Sequence, residues 1–545
     1  MNKPNGHVTG PHRLTTLAPL VAILAAGAAA CNGAVETDDG TETTQAELRA
    51  RVPNDEPPFA DCIAAAAGTL TASTSTPRVG DSVTLIWNVT AGCSGLQLDV
   101  SGMAVGRQGT TTVWPYINVL YALNASIAGA RRTLAFVAVV PQLADEITIH
   151  GSNWQTPFLA ALQRPNTKIN VDAGVDMDLS AVGDYGVEIQ AGVSVLGNRS
   201  STRPGPRFYT TRRPKVLFVI AGDSVTIRGV RIQGPDTEFE TCIDTTGQTG
   251  FFVPPPCISN ATGVYMEAAV NVLVENNEIL GWSQAGIRVL DIQNRIDRLT
   301  NARSAVIIRG NYIHNNQRQN ESDGYGVESS YGAYALIAQN VFERNRHDIE
   351  SDGRPGSGYY AESNLVLADN GQTTWVGFEA HTHTFDVHGT DNCGPRLSNN
   401  IWNCGDGGEY YEIANNTFLY TEDQDVKVRG LPAVRVDVIS NAFRHQYESD
   451  AIQSTMGGVY SAGNRLGMNV APAYGACDFD GDGVTDTFWA TGETWWFSSG
   501  GTGTWTYLNT SKLTLDEVTL SDANHDNTCD VLAGGFVYSG GKTPL

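Results

Sequence analysis

The chain has 545 residues, of which 41% are hydrophobic and only 17% charged, with 58 glycines and a formal net charge of −23. That length holds about three or four domains. The glycine content and sparse charge exclude a coiled coil and a wholly disordered chain, and the acidic balance excludes a protein built to grip a nucleic-acid backbone, which needs a basic footprint.

In chain order, residues 1–31 read as a secretory signal: Lys3, His12 and Arg13, then an apolar stretch from Leu14 to Ala30. The stretch closes on Ala28-Ala29-Ala30-Cys31, which resembles the lipobox of bacterial lipoproteins, with Ala28 where that family usually carries Leu. The resemblance implies that Cys31 carries a lipid and that the protein is exported and held at the bacterial outer membrane, facing the periplasm or the cell surface. Ordinary signal cleavage after an alanine, with Cys31 incidental, is the plain alternative. Of nine cysteines, removing Cys31 leaves four sequence-local pairs: Cys62/Cys93, Cys242/Cys257, Cys393/Cys404 and Cys477/Cys529. Even pairing in an exported chain points to disulfides. No other stretch approaches the ~20 apolar residues of a membrane span. Residues 32–58, rich in Thr, Asp and Glu, suit a disordered tether.

Over 59–141 the runs Val83–Trp87, Leu96–Val100, Tyr121–Ser126 and Ala135–Val140 alternate apolar and polar residues between closely spaced turns, the pattern of a β-sandwich. Val83-Thr-Leu-Ile-Trp87 after Val79-Gly80-Asp81, with Tyr121-Ala-Leu downstream, looks like a bacterial immunoglobulin-like domain, which implies a spacer or weak adhesion unit.

Residues 145–470 hold a repeat. The phrase apolar-x-x-Asn-x-apolar recurs at Val274–Ile279, Ile308–Ile313, Ile337–Phe342, Ala361–Val366, Ile413–Phe418 and Val438–Phe443. The step between asparagines is near 24 at its shortest, and the step of 52 from Asn364 to Asn416 reads as one turn with a large insertion. Short Val/Ile strands with glycine-rich corners at such a period are the mark of a parallel β-helix, with the asparagines stacked in an internal ladder. The segment resembles the right-handed parallel β-helix of pectate lyases and their relatives. The expected fold class is therefore all-β: a right-handed solenoid between an N-terminal sandwich and a small C-terminal module over 475–545, in a monomer.

That last module repeats another phrase. Asp478, Asp480, Asp482, Val484 and Asp486 have the spacing of Asp522, Asn524, Asp526, Thr528 and Asp530, 44 residues later. Hard oxygen ligands at alternating positions of a tight loop wrap Ca²⁺, with one backbone carbonyl among them (Val484, Thr528). The pair resembles the calcium loops of FG-GAP repeats. A bare acidic turn is the alternative.

Aligning the turns on their asparagines exposes a further set of short strands: Gly286–Val289, Gly326–Ser329, Asp348–Ser351, Asp386–Gly389 and Lys427–Gly430. If Ile287, Val327, Ile349, Val387 and Val428 face inward, the flanking residues face outward. Two columns follow, Arg288-Glu328-Glu350-His388-Arg429 and Gly286-Gly326-Asp348-Asp386-Lys427, with His347, Asp352, His381 and His383 at their edges. Mixed charges on a solenoid face can pair merely for solubility. Titratable groups of every type in one patch, however, suit catalysis, because they shift one another's pKa.

Two chemistries fit an acidic polysaccharide substrate. The resemblance to pectate lyases implies β-elimination, with Ca²⁺ on Asp348, Glu350 and Asp386 and with Lys427, Arg429 or His388 as base, while Arg288, Glu328, Glu350 and His347 bind substrate. The alternative is inverting hydrolysis of the polygalacturonase type, on Asp348/Asp386, His388-Gly389 and Lys427-Val-Arg429. In that case the last element is reversed and the family's Asn-Thr-Asp is missing. Tyr331, Tyr334, Tyr359, Tyr360, Trp375, Phe378, Trp402, Tyr410 and Tyr411 offer faces for sugar rings. A non-catalytic surface adhesin is the third reading.

Overall fold

The structure is a computed structural model that describes residues 65–77, 82–91, 95–113, 115, 119–127, 130–140, 145–237, 260–292, 302–317, 323–375, 378–391 and 404–542. The unit Met1–Pro57 falls wholly outside these residues, and everything below belongs to Pro58–Leu545. The signal, Cys31, the tether and Cys62, Cys93, Cys242, Cys257 and Cys393 likewise lie outside the described residues.

The first part is a two-sheet antiparallel sandwich. One sheet orders Ala67–Ala72, Val83–Ala91 and Gln108–Val113; the other orders Met103–Val105, Gln97–Val100, Val119–Ile127 and Ala130–Val139. Strand alternation explains the core: Val83, Leu85, Trp87 and Val89 point in while Ile86 and Asn88 point out. Trp87 donates its indole N–H to Gly106 O at 2.9 Å. A Cβ at residue 109 would sit 2.6 Å from that indole, so only glycine fits there.

From Asp145 the chain winds a parallel β-helix. Three long parallel sheets of eleven, nine and nine strands run side by side; the first two strands, Asp145–Ile149 and Thr167–Val171, share the eleven-stranded sheet, and from the second the chain visits the three in rotation. We number them in the order each turn visits them: sheet 1 contains Val272–Glu275, sheet 2 contains Glu278–Leu280 and sheet 3 contains Ala285–Leu290. The helix Gln155–Leu162 closes the first turns, with Phe158 stacked on Phe208 at 4.6 Å. Inside, residues of like kind stack turn upon turn. Sheet 3 carries Val187, Phe218, Val264, Ile287, Val327, Ile349, Phe385 and Val426 in one inward column. Phe342, Phe385, Phe418 and Phe443 pack as successive aromatic pairs.

The six asparagines of the repeated phrase occupy one column at the corner between sheets 1 and 2. Each Nδ2 donates to the Oδ1 of the next, from Asn277 through Asn311, Asn340, Asn364 and Asn416 to Asn441. Each also donates to a backbone carbonyl of the preceding turn, as Asn340 does to Ile308 O at 2.9 Å. Asn464 extends the ladder by one step, outside the phrase because no apolar residue precedes it at the right place. Asn364 bonds Asn416 directly, so the 52-residue step is a single turn with an insertion. That insertion includes the hairpin Gln372–Trp375/Phe378–His381. A second, shorter ladder, Asn316–Asn345–Asn370, fills the corner between sheets 2 and 3.

The C-terminal module pairs two small antiparallel sheets, Ala473–Thr510 and Thr519–Tyr538, joined by a Cys477–Cys529 disulfide. Of the four cysteine pairs expected from sequence, this is the one with both halves among the described residues. The Cys393/Cys404 pair is not shown in that way. Cys404 is described: it is buried and disulfide-bonded, and it forms a backbone bridge with Asp391 where the insertion rejoins the solenoid. Its expected partner, Cys393, falls outside the described residues, so the structure bears out the oxidised state of Cys404 and not its pairing. The C-terminal module docks on the outer face of sheet 2, where Trp489 and Trp496 pack against Val341 and Leu365. Thr417 of the solenoid meets Thr491 Oγ1 at 2.8 Å. The outer face of sheet 3 is left to other neighbours.

Candidate functional site

Outward residues of sheet 3 form the column Tyr265, Arg288, Glu328, Glu350, Asp386, Lys427, Gln453, paired in register strand by strand. This corrects the alignment read from sequence. From Asp386 onward the strands sit two residues away from their expected register: Phe385 and Val426, not Val387 and Val428, continue the Ile349 column. Both registers place an apolar residue inward, because Thr384-Phe-Asp386-Val and Asp386-Val-His388-Gly have the same alternation. A two-residue slip keeps the face and changes the neighbours. His388 and Arg429 therefore lie one step further along the strand direction than Glu350.

Two further assignments are overturned. Asp348 does not face outward. It lies at the corner entering the strand, fully buried, with Asn345 Nδ2 donating to its Oδ1 at 2.9 Å. A side chain at the equivalent Gly326 would meet Phe342 and Ile313 of the interior. Asp348 is thus a core carboxyl, and burial pushes it well above the usual range. Its counterpart two turns on is Asp425, also fully buried and raised by burial, with neither carboxylate oxygen hydrogen-bonded. Sequence reasoning missed Asp425, although Asp425-Val-Lys-Val matches Asp348-Ile-Glu-Ser. His347 is not a substrate contact either; its side chain is 0% exposed and its ring stacks on His383 at 4.3 Å.

The outward groups meet around Asp386. Arg429 forks onto it, with Nε donating to Oδ1 at 3.0 Å and a terminal nitrogen donating to Oδ2. His388 Nε2 is 2.7 Å, His383 Nε2 3.0 Å and His347 Nε2 3.6 Å from the same Oδ2. Burial opposes the Asp386 charge, but Arg429, His383 and His388 outweigh it and hold the group well below the usual carboxylate range. Arg429, so clamped, is a positioning group and not a base. On the other side His388 Nε2 lies 3.7 Å from Glu350 Oε1. Burial, then the carboxylates of Glu328, Asp352 and Asp386, push Glu350 well above its usual range. Burial also pushes Glu328 up to about 7, against the pull of Arg288, whose Nε is 2.7 Å away. Burial lowers His388 and takes His383 down to about 3.

Beside this cluster, where the strands of sheet 3 end, a cleft of about 440 Å³ is lined by Glu267, Leu290, Asp291, Tyr331, Arg354 and Pro355. Asp352 organises it, accepting hydrogen bonds from the Tyr331 and Arg354 N–H groups. The Arg354 guanidinium stacks on Tyr331 at 3.6 Å. Of the aromatic residues singled out in the sequence, Tyr331 is the one at this cleft. Tyr334, Tyr359 and Tyr411 belong to the solenoid core, and Tyr360 and Tyr410 lie on sheet 1. Trp375 and Phe378 are backbone partners in the hairpin of the insertion, and Trp402 lies outside the described residues.

In the C-terminal module Asp478, Asp480 and Asp486 bring oxygens within 4.8 Å of one another, and Asp480 Oδ2 is buried without a hydrogen-bond partner. That donor set fits Ca²⁺. The two loops share one hydrogen-bonding plan. Asp486 accepts from Phe479 and Gly500 N–H groups, and Asp530 accepts from Ala523 and Gly540. Each loop is thus closed by a Ser-Gly-Gly turn that the spacing of acids did not reveal.

No protein-family model matches the chain, and no curated protein does. Among solved structures it is similar to one titled Geobacillus virus E2 ORF18, at 12% identity over 70% of this chain and 78% of that one, with a TM-score of 0.28. It is also similar to the Dettilon tailspike protein gp208, at 12% identity over 72% and 91%, with a TM-score of 0.26.

Proposed function

We propose that the sheet 3 face binds an acidic polysaccharide and cleaves it by β-elimination. The observation that carries this reading is the Glu350–His388 pair: a carboxyl and an imidazole 3.7 Å apart on a rigid strand face, with Lys427 beside them and a polar cleft adjoining. His388 removes the proton next to the sugar carboxylate, the C–C double bond forms, the neighbouring C–O bond breaks, and Glu350 protonates the departing oxygen. Acid and base on one side suit a proton and a leaving group on the same face of the ring.

Inverting hydrolysis is less well supported. It needs two carboxyls ~6.5–9.5 Å apart with water between them. Asp348 points into the core, and the Glu350 and Asp386 oxygens share one imidazole nitrogen at 3.7 and 2.7 Å, which leaves less room than that.

The test is a panel of uronate polysaccharides incubated with the full chain while absorbance of the unsaturated product is followed. His388→Ala and Glu350→Gln should each lose about 10²–10⁴-fold in rate with the fold unchanged. Absence of product on every substrate moves the protein to the adhesin reading; full activity in both variants moves the site elsewhere. We also propose that Cys31 carries a lipid, so that Cys31→Ser releases the protein from membranes, and that the C-terminal loops hold Ca²⁺.

A further inference from the structure

The pectate-lyase resemblance would place Ca²⁺ on Asp348, Glu350 and Asp386, and these residues do not fit it. Ca²⁺ takes six to eight oxygen ligands. Here Asp348 is turned into the core, and what surrounds the Asp386 oxygen is imidazole nitrogen.

We propose instead that His347 Nε2, His383 Nε2 and Asp386 Oδ2 bind one divalent transition-metal ion. Three observations carry this. The three atoms lie within 4.8 Å of one another, and the Nε2–Oδ2 distances of 3.0 and 3.6 Å bracket the ~3.3 Å edge of a tetrahedron with metal–ligand bonds near 2.05 Å. Next, the tautomer of His347 is set from behind: its Nδ1–H donates to His383 O at 2.5 Å, which leaves Nε2 as a lone pair aimed at the centre. His383 Nδ1 has its own partner, Thr382 Oγ1, at 3.1 Å. Finally, both Nε2 atoms are buried without a hydrogen-bond partner despite their closeness to Asp386. Two imidazole nitrogens without a hydrogen-bond partner thus face one carboxylate oxygen, and a cation between them would satisfy both.

Two imidazoles and one carboxylate make a donor set that suits Fe²⁺, Zn²⁺ or Co²⁺ and disfavours Ca²⁺. The Arg429 guanidinium on the same carboxylate is the main electrostatic cost. It holds both oxygens, Nε on Oδ1 and a terminal nitrogen on Oδ2, so it orients the carboxylate while sharing the ligand atom with the ion. The ion would join two turns of the solenoid at the point where the 52-residue step re-enters, since His347 precedes that insertion while His383 and Asp386 follow its hairpin.

The inference does not rest on the polysaccharide reading. Its test uses the full chain without a histidine tag, stripped of metal and titrated with Co²⁺. The expected result is one tightly bound equivalent with visible d–d absorption, displaced by Zn²⁺ and indifferent to Ca²⁺. It should also bring a rise in melting temperature, because a ligand that binds only the folded state stabilises it. His383→Gln and Asp386→Asn should each abolish the absorption. If the unmodified chain binds no Co²⁺, or if both variants keep the full signal, the site does not exist. A Co²⁺ site in a chain that cleaves no polysaccharide would leave this inference standing and remove the other.

Discussion

Asp425 shows how much one buried group can weigh. Its carboxyl is fully buried with neither oxygen hydrogen-bonded, within electrostatic reach of Asp348 and 3.7 Å from His445 Nε2. Burial raises its folded pKa above the unfolded value near 3.9. The stability linked to its protonated form is therefore complete below about pH 4 and is lost as pH rises through the raised value. Asp425→Asn removes that dependence. It should stabilise the protein by about 1–3 kcal/mol at pH 8 and change little at pH 4, read from urea midpoints at the two pH values. Parallel curves for variant and parent would show that Asp425 is already satisfied. At the same scale, His388 and Glu350 are separated from Arg429 by role: the first two face each other, and the third holds Asp386 still.

Among the elements, the asparagine ladder explains why the turns keep their spacing. Each interior asparagine satisfies a carbonyl of the preceding turn, its neighbour's amide and a backbone N–H, all out of reach of water. Asn340 links Ile308 O, Asn364 Oδ1 and the Asn311 N–H. Asn340→Ala strands several of these, at about 1–3 kcal/mol for each group left unsatisfied. Asn464, at the end of the ladder, makes as many bonds but is only half-buried, so water can replace what its loss removes. Guanidinium unfolding should therefore show Asn340→Ala costing at least twice what Asn464→Ala costs. Equal losses would mean that the ladder is a consequence of the winding and contributes little to it.

For the whole molecule, the C-terminal module is tied to sheet 2 by an apolar contact, with Trp496 fully buried against Val341 and Leu365. Trp496→Ala should cost about 3–5 kcal/mol. In calorimetry it should also split the unfolding of module and solenoid into separate transitions, because the contact that couples them is lost. A single sharp transition in the variant would count against this. Chelation by EDTA addresses a different term. The carboxylates of Asp478, Asp480 and Asp486 repel one another without a cation, so in that variant EDTA should lower the transition of the module and leave that of the solenoid unmoved. An unmoved transition would argue against calcium there.

What the amino-acid sequence determines by itself is whatever rests on local repetition. Alternation along each strand, the asparagine every turn and the paired acidic loops each recur within a few dozen residues, so the solenoid, its internal ladder and the loop spacing could be read directly. The membership of the polar face was legible in part: Arg288, Glu328, Glu350 and Asp386 were placed on it, and their order held as far as Glu350. Beyond that point only the tertiary structure decides. A period-two pattern cannot distinguish registers two residues apart, and the long insertion removes the count that would have distinguished them. The inward turn of Asp348, set by Asn345 at the corner, and the meeting of His347 with His383 across that insertion depend on which turns lie in contact. That is a property of the wound chain, and no stretch of sequence carries it.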